Sequence, residues 1–305
     1  MRFLAFCAVC LGAQASADGL SHFSLDAQFM SGETSRDADG LTGSFSGATR
    51  FSAAGVYDSG AFTLYGTLVL DQVEFFNRGD TTNARGTDIA ELGVDYAVGQ
   101  FVVGVNASAL RAEDLPFETT LTSVALYGQY DWGDYYAGLG ILTLDDTADT
   151  FSDVGAALFG GYETDTGLSL GAQVAEVADG TFYTAFATYD ADTFEIAFDL
   201  TADDDDRLAR FFGAYYVVPE FAVIGGIVDL DTGGDGTSER FLGGRVDLAP
   251  GFSAEVAFYD FDAFNNFEGN GIAFKLAYEV GTPRRGYQSF ATFSDRLLSP
   301  VFYSF

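Results

Sequence analysis

The sequence contains a single histidine, His22, with Ser24 and Asp26 at the next two alternating positions. In an extended strand these three side chains share one face. Serine, histidine and aspartate together can form the nucleophilic triad of a hydrolase, but a triad is defined by its geometry, and these residue types are common. We therefore predict that the protein is not an enzyme and assign it no catalytic residue.

Two acidic stretches could attract metal ions. Asp203 to Asp206 is an unbroken acidic run, and residues 229–236 faintly resemble a calcium-binding loop. The second stretch lacks the acidic residue at the fifth position and the final glutamate, so it fails the calcium-hand template. Solvated loops explain both stretches, with loosely bound Ca²⁺ or Mg²⁺ as the alternative. No other cofactor or metal site is expected.

The composition is strongly acidic, with 45 Asp and Glu against 14 Lys and Arg and a net charge of −31. A chain without basic surface cannot bind nucleic acid through its phosphates, so nucleic acid is excluded as a partner. Aromatic residues make up 16% of the chain, glycine is abundant and proline is rare. This composition favours a β-rich protein over a disordered one.

Apolar residues alternate with small or charged ones along many segments. In residues 272–280, one face carries Ile272, Phe274, Leu276, Tyr278 and Val280, while the other carries Ala273, Lys275, Ala277 and Glu279. Residues 90–98 and 194–200 show the same pattern. This period of two predicts strands with one apolar face.

Turn residues separate these strands in two ways. Gly, Asp and Pro mark eight short turns, at 58–60, 98–100, 131–134, 164–167, 190–192, 218–220, 248–251 and 281–283. Longer polar connections are predicted at 31–40, 76–87, 111–118, 145–150, 203–206, 231–238 and 263–270. Short turns at one end and longer loops at the other are typical of a membrane β-barrel.

The N-terminus has the pattern of an export signal. Arg2 precedes the apolar segment 3–12, and Ala15 and Ala17 provide a small-residue cleavage site. We predict cleavage after Ala17, giving a signal peptide at 1–17 and one domain at 18–305. Both cysteines, Cys7 and Cys10, would leave with the signal, so the mature chain would contain no disulfide.

Aromatic residues flank most of the short turns, in the pairs Tyr57 and Phe62, Tyr96 and Phe101, Tyr130 and Tyr135, Tyr189 and Phe194, Tyr216 and Phe221, Tyr278 and Tyr287. Rings at one height on every hairpin would form a girdle at a membrane interface. We therefore predict an all-β, transmembrane antiparallel β-barrel with short periplasmic turns. A water-soluble β-sandwich is the alternative, because it shows the same alternation.

The chain ends in Val301, Tyr303 and Phe305 at alternating positions. This ending resembles that of Gram-negative outer-membrane proteins, and of general porins in particular. The resemblance implies recognition by the barrel-assembly machinery, Sec-type export to the outer membrane, contact with its lipids and lipopolysaccharide, and a homotrimer. Eight short turns give 18 strands if 286–305 forms a last hairpin, whereas general porins have 16, so we predict 16–18 strands.

General porins narrow the lumen with a long third loop, but the corresponding segment here, 111–118, is short. Either 31–48 or 76–87 would then constrict the lumen, or the lumen is wider or differently plugged. Pro300 also departs from the pattern, because proline in a strand must occupy an edge or unpaired position.

If the apolar faces contact lipid, the opposite faces line the lumen. The predicted pore-lining residues are Glu91, Asp95, Glu195, Asp199, Glu279, Lys275, Arg50 and Arg245. Because carboxylates predominate, we predict passive diffusion of small hydrophilic solutes with a preference for cations. The alternative is a structural or adhesive outer-membrane barrel without an open channel.

Overall fold

The computed structural model describes residues 19–36, 41–77, 81–114, 117–146, 152–177, 180–232, 235–263, 267–281 and 286–289. Its strands are β1 (Leu20–Arg36), β2 (Leu41–Ser59), β3 (Phe62–Asn77), β4 (Thr81–Val98), β5 (Phe101–Asp114), β6 (Phe117–Trp132), β7 (Tyr135–Asp146), β8 (Ser152–Glu163), β9 (Leu168–Val177), β10 (Gly180–Ala191), β11 (Phe194–Ala202), β12 (Asp206–Val218), β13 (Phe221–Thr232), β14 (Asp235–Ala249), β15 (Phe252–Ala263) and β16 (Phe267–Gly281). In the described part of the chain, no helix is long and apolar enough to cross a membrane.

The sixteen strands form one closed antiparallel barrel. Each strand pairs with the next along the chain, and β16 pairs with β1 from His22 opposite Gly281 to Arg36 opposite Phe267. The prediction of an antiparallel barrel of 16–18 strands is therefore confirmed at 16. The version with 18 strands is wrong, because β2 and β16 already occupy both edges of β1, and β15 and β1 occupy both edges of β16.

Seven of the eight predicted short turns join adjacent strands, through residues 60–61, 99–100, 133–134, 164–167, 192–193, 219–220 and 250–251. Gly99 and Gly133 adopt φ angles of 63° and 72°, which the left-handed turn positions require and which a side chain would disfavour. The eighth predicted turn, at 281–283, lies outside the described residues except for Gly281. Gly281 ends β16, and β16 completes the wall by pairing with β1.

At the other end of the barrel the connections are shorter than predicted. The strands extend into the expected loops, leaving 37–40, 78–80, 115–116, 147–151, 178–179, 203–205, 233–234 and 264–266 between them. The connection at 178–179 was not among the predicted ones. Because polar residues occupy both faces of the wall near this end, the alternation that marks a strand fades before the strand itself stops.

The two faces of the wall differ in accessibility. Along β12, Phe211 and Tyr215 are 47% and 61% exposed, whereas the alternate residues Leu208 and Ala214 are buried. The same alternation runs through the other strands, so large apolar side chains cover the outer face. The buried faces meet inside the barrel in clusters that include Leu208, Phe212, Leu142 and Ile89.

The predicted aromatic belt lies on the outer face beside the short turns. Its rings contact one another across strands, with centroids 4.8 Å apart for Phe62 and Tyr96 and 4.5 Å apart for Tyr135 and Tyr162. Two predicted members do not belong to it. Tyr216 points inward to bond Glu195, and Tyr287 lies inside the barrel beyond β16.

Inward aromatic rings pack over glycines of the neighbouring strand. The ring of Tyr65 covers Gly93, and a Cβ added at Gly93 would fall within that ring. Tyr127 covers Gly104 in the same way, and the hydroxyls of Tyr65 and Tyr127 lie 2.9 Å apart. Each glycine leaves the room that lets a large ring lie flat against the wall.

This packing predicts that Gly93→Ala destabilises the barrel by about 1–3 kcal/mol, because the added methyl displaces a buried ring. Gly128→Ala is the matched control, since the nearest atom to its added Cβ is 4.0 Å away. The measurement is the temperature at which the folded band on a gel converts to the unfolded one. Equal midpoints for the two variants would contradict the packing argument.

Candidate functional site in the barrel lumen

All eight predicted pore-lining residues lie on the inward face of the wall. Residues paired across adjacent strands share a face of the sheet. Glu195 is paired with buried Ala214, and Arg50 is paired with buried Asp71. The eight do not form one site. Glu195, Arg245, Lys275 and Glu279 line a single cavity, whereas the other four lie elsewhere on the inward face.

Arg245 and Glu195 form the most tightly bonded pair in this cavity. Arg245 Nη1 and Nη2 donate to the two carboxylate oxygens of Glu195 at 3.0 and 2.9 Å, a bidentate geometry. Tyr216 donates its hydroxyl proton to Glu195 at 2.5 Å, and the guanidinium carbon lies 5.2 Å from the centroid of the Tyr216 ring. Arg245 Nε is also 3.4 Å from Asp247. The positive charge of Arg245 is therefore largely compensated.

The cavity has a volume of about 410 Å³. Its charged lining consists of the carboxylates Asp190, Glu195, Glu255 and Glu279, with only Arg245 and Lys275 as cations. Phe212, Ile224 and Phe241 form an apolar wall, and Gln28 presents a buried amide oxygen without a hydrogen-bond partner. The lining thus has excess negative charge and an unsatisfied acceptor, both of which suit a cation or a hydrogen-bond donor.

Arg50 and Asp199 lie in the wall outside this cavity. Arg50 Nη1 contacts Asp71 Oδ2 at 3.1 Å, with both side chains almost fully buried. Asp199 lies opposite Arg210 in the ladder between β11 and β12. A buried carboxylate needs such compensation, so Arg50 and Asp71 join β2 to β3 through paired charges.

Glu91 and Asp95 belong to a network on the opposite side of the lumen. Tyr127 donates its hydroxyl proton to Asp95, and Asn106 donates to Glu91 at 2.6 Å and to Tyr65 at 3.2 Å. Ser289, which follows the last strand, also donates to Glu91, at 2.8 Å. Sequence reasoning missed Tyr65, Tyr127 and Asn106, although their alternation with outward residues places them on this face.

Tyr287 is a buried tyrosine in this region, beside Tyr127. Burial, and secondarily the nearby Glu91 carboxylate, raises the pKa of Tyr287 above its ordinary value. Its hydroxyl therefore stays protonated at neutral pH and adds no charge to the lumen.

None of the remaining sequence candidates lines the cavity. His22 is buried, and Asp26 accepts a hydrogen bond from Ser52 of β2 rather than from the histidine. Asp203 accepts from the backbone amides of Asp205 and Asp206 at 2.9 and 2.7 Å, so the acidic run closes a tight turn. Asp229 and Asp231 lie near Arg207 on the outer face, at 3.9 and 4.0 Å.

Within the residues that the structure places, no group of three or more His, Cys, Asp or Glu side chains could hold a metal ion. The signal peptide 1–17 and the predicted assembly signal Val301, Tyr303 and Phe305 fall outside the described residues. The two segments proposed to constrict the lumen behave differently from the prediction. The described parts of 31–48 and 76–87 belong to the paired strands β1, β2, β3 and β4.

Comparisons with known proteins were made at three levels. No protein-family model matches the sequence, and no curated protein matches it. Solved structures that match include two mutants of a Rhodobacter blastica porin, at 14% and 13% identity and TM-scores of 0.44 and 0.43, each covering 85% of this chain and 100% of the porin. The CymD monoaromatic hydrocarbon channel matches at 10% identity and a TM-score of 0.46, covering 88% of this chain and 90% of that one.

Identities this low leave the solute and the selectivity to be argued from the residues of this chain. The closed antiparallel barrel of sixteen strands is consistent with the Gram-negative porin architecture that the C-terminal residues suggest.

Proposed function

We propose that this protein is an outer-membrane pore for passive diffusion of small hydrophilic solutes, with a preference for cations. One observation carries the proposal. The closed wall is apolar on its outer face, and on its inner face it surrounds a cavity in which carboxylates outnumber cations. No enzymatic step is proposed.

The outer face supports a membrane location. Strands of 9 to 19 residues are long enough to cross a bilayer, which a tilted strand does in about 9–11 residues. Side chains such as Leu92, Leu139 and Leu158 would be exposed to water in a soluble protein, at 69%, 66% and 61%. A continuous apolar belt of this kind is costly in water and favourable in lipid.

The cation preference rests on the cavity. Because Glu195 and Asp247 compensate Arg245, the uncompensated charge of the lining is negative. Carboxylates facing a water-filled passage raise the local concentration of cations and lower that of anions.

The sequence supports a proposal for the export, location and partners of the pore. We propose Sec-type export to the outer membrane of a Gram-negative bacterium, with cleavage near Ala17, and recognition of Val301, Tyr303 and Phe305 by the barrel-assembly machinery. Lipopolysaccharide and membrane lipids would surround the wall, and the porin resemblance supports a homotrimer. Ca²⁺ or Mg²⁺ held loosely by the acidic turns could bridge them to lipopolysaccharide.

The membrane location predicts that an arginine on the outer face destabilises the barrel by an amount that depends on its depth in the bilayer. Leu92→Arg, on the outer face of β4 away from both of its ends, should lower the free energy of unfolding in lipid vesicles by about 2–4 kcal/mol. Leu248→Arg, beside a short turn, should lower it by about 0–1 kcal/mol. Denaturant titration followed through the only tryptophan, Trp132, measures both values. Equal costs at the two positions would show that this face does not lie in lipid.

The cation preference is tested by reversal potentials in a planar bilayer under a salt gradient. Wild-type protein should conduct in steps, with the reversal potential on the cation-selective side. Glu279→Gln should move that potential towards zero, because it removes an uncompensated carboxylate from the cavity lining. The control is Asp260→Asn, since Asp260 lies exposed on the outer face of β15 and should leave selectivity unchanged.

Anion selectivity of the wild type would overturn the cation preference. Folded protein that conducts no ions would favour the second candidate function, a structural or adhesive barrel. That candidate is favoured by the large amount of buried side chain inside the wall, including Leu208, Ile224 and Tyr259.

A further inference from the structure

The chain does not leave the barrel where its last strand ends. Gly281 ends β16, and Tyr287, Gln288 and Ser289 lie against β4, β6, β8 and β9. In the ring of sixteen strands, β8 is eight places from β16, so it lies on the opposite side. Gly281 ends a strand on one side of the barrel, and Tyr287 lies against strands on the opposite side.

Tyr287 inserts into a pocket of inward aromatic rings. Its ring stacks on Tyr127 with centroids 4.9 Å apart and planes 18° from parallel. Phe159 meets it edge-on at 5.8 Å, and only 3% of Tyr287 remains exposed. An aromatic side chain held on two sides is a typical anchor of a bound peptide segment.

Gln288 is held through its backbone. The side-chain amide of Gln173 in β9 donates from Nε2 to the carbonyl oxygen of Gln288 at 2.9 Å, and its Oε1 accepts from the amide of Gln288 at 3.0 Å. One side chain thus satisfies both backbone groups of Gln288, as a neighbouring strand would. Sequence alone gives no sign of this pairing, because the two residues are 115 positions apart.

Ser289 contacts a further strand, β4. Its hydroxyl donates to Glu91 Oε2 at 2.8 Å, and Ser289 is almost completely buried. A hydrogen bond to a carboxylate is stronger than one between neutral groups. Three consecutive residues therefore bond three separate parts of the wall.

We propose that the inward faces of β4, β6, β8 and β9 form a binding site for the chain's own segment Tyr287–Ser289, and that this docked segment narrows the lumen. The narrowing rests on the proposed pore function, whereas the docking does not. The segment takes the place of the constricting loop that the sequence led us to seek at 31–48 or 76–87.

Docking is tested by cross-linking, independently of conduction. Gln173→Cys with Gln288→Cys, in a full chain with Cys7 and Cys10 replaced by serine, should react with a short bifunctional thiol reagent and give one internally bridged product. The control pair is Leu158→Cys with Gln288→Cys. Leu158 precedes Phe159, the ladder partner of Gln173, but points outward. Bridging no more frequent than in the control pair would overturn the docking.

Narrowing is tested by conductance of a full-length release variant, Tyr287→Ala with Gln173→Ala. Its single-channel conductance should rise by about twofold over wild type, because the lumen of a sixteen-strand barrel is wide unless something fills it. Tyr183→Ala removes an aromatic ring from the outer face and should not change conductance. Bridging positions 173 and 288 should hold the conductance at the wild-type value.

The outcomes separate the two proposals. Bridging with equal conductance in wild type and release variant would overturn the narrowing and leave the pore. A silent wild type with a conducting release variant would support the docked segment as a plug and overturn open passage in the resting protein. Bridging without conduction in either folded protein would overturn both the pore and the narrowing, and leave the docking.

Discussion

The pairing of β1 with β16 is the constraint on which the rest of this structure depends. A sheet of sixteen strands with a free edge would leave rows of backbone amides and carbonyls without partners, which lipid cannot satisfy. The ladder from His22 and Gly281 to Arg36 and Phe267 removes that edge. Closure also divides the side chains into an outer and an inner set, because successive residues point to opposite faces. Both the apolar belt and the charged cavity follow from that division.

The inner set faces a second constraint, since a wide barrel must either hold water or fill its interior. This chain does both. Rings such as Tyr65 and Tyr127 lie over glycines and share a hydrogen-bonded network on one side. Carboxylates surround an open cavity near Arg245 on the other. The same wall therefore supports two environments, and Tyr287, Gln288 and Ser289 belong to the packed one.

Alternation predicted the strands well where one face is apolar, as in 272–280, and glycine and aspartate located seven short turns. The prediction of loop lengths and the 18-strand version of the barrel failed, because the local sequence pattern carries no information about either. The strand ends beyond the apolar belt carry polar residues on both faces, so the loops were expected to be too long. The final turn at 281–283 resembles the other turns locally, and only the pairing of β16 with β1 shows that the wall is complete at β16.

The inward orientation of Glu91, Glu195 and Arg245 could be deduced from the same alternation, but their partners could not. Arg245 meets Glu195 across 50 positions, and Glu91 meets Ser289 across 198. Such contacts depend on which strands lie near each other around the ring, and that depends on strand number and closure. Tyr216 shows the limit clearly, because an aromatic residue of a strand beside a turn points outward or inward according to its register alone.

The short connections at the end opposite the tight turns have a consequence for the protein's susceptibility to proteolysis. Only two to five residues separate the strands there, as at 115–116 and 147–151. β5 and β6, for example, stay paired up to 115–116, where Asp114 lies opposite Phe117. Proteases preferentially cut exposed loop tips. A barrel whose strands stay hydrogen-bonded up to short connections offers a protease few such sites. We therefore expect this end of the barrel to resist proteolysis.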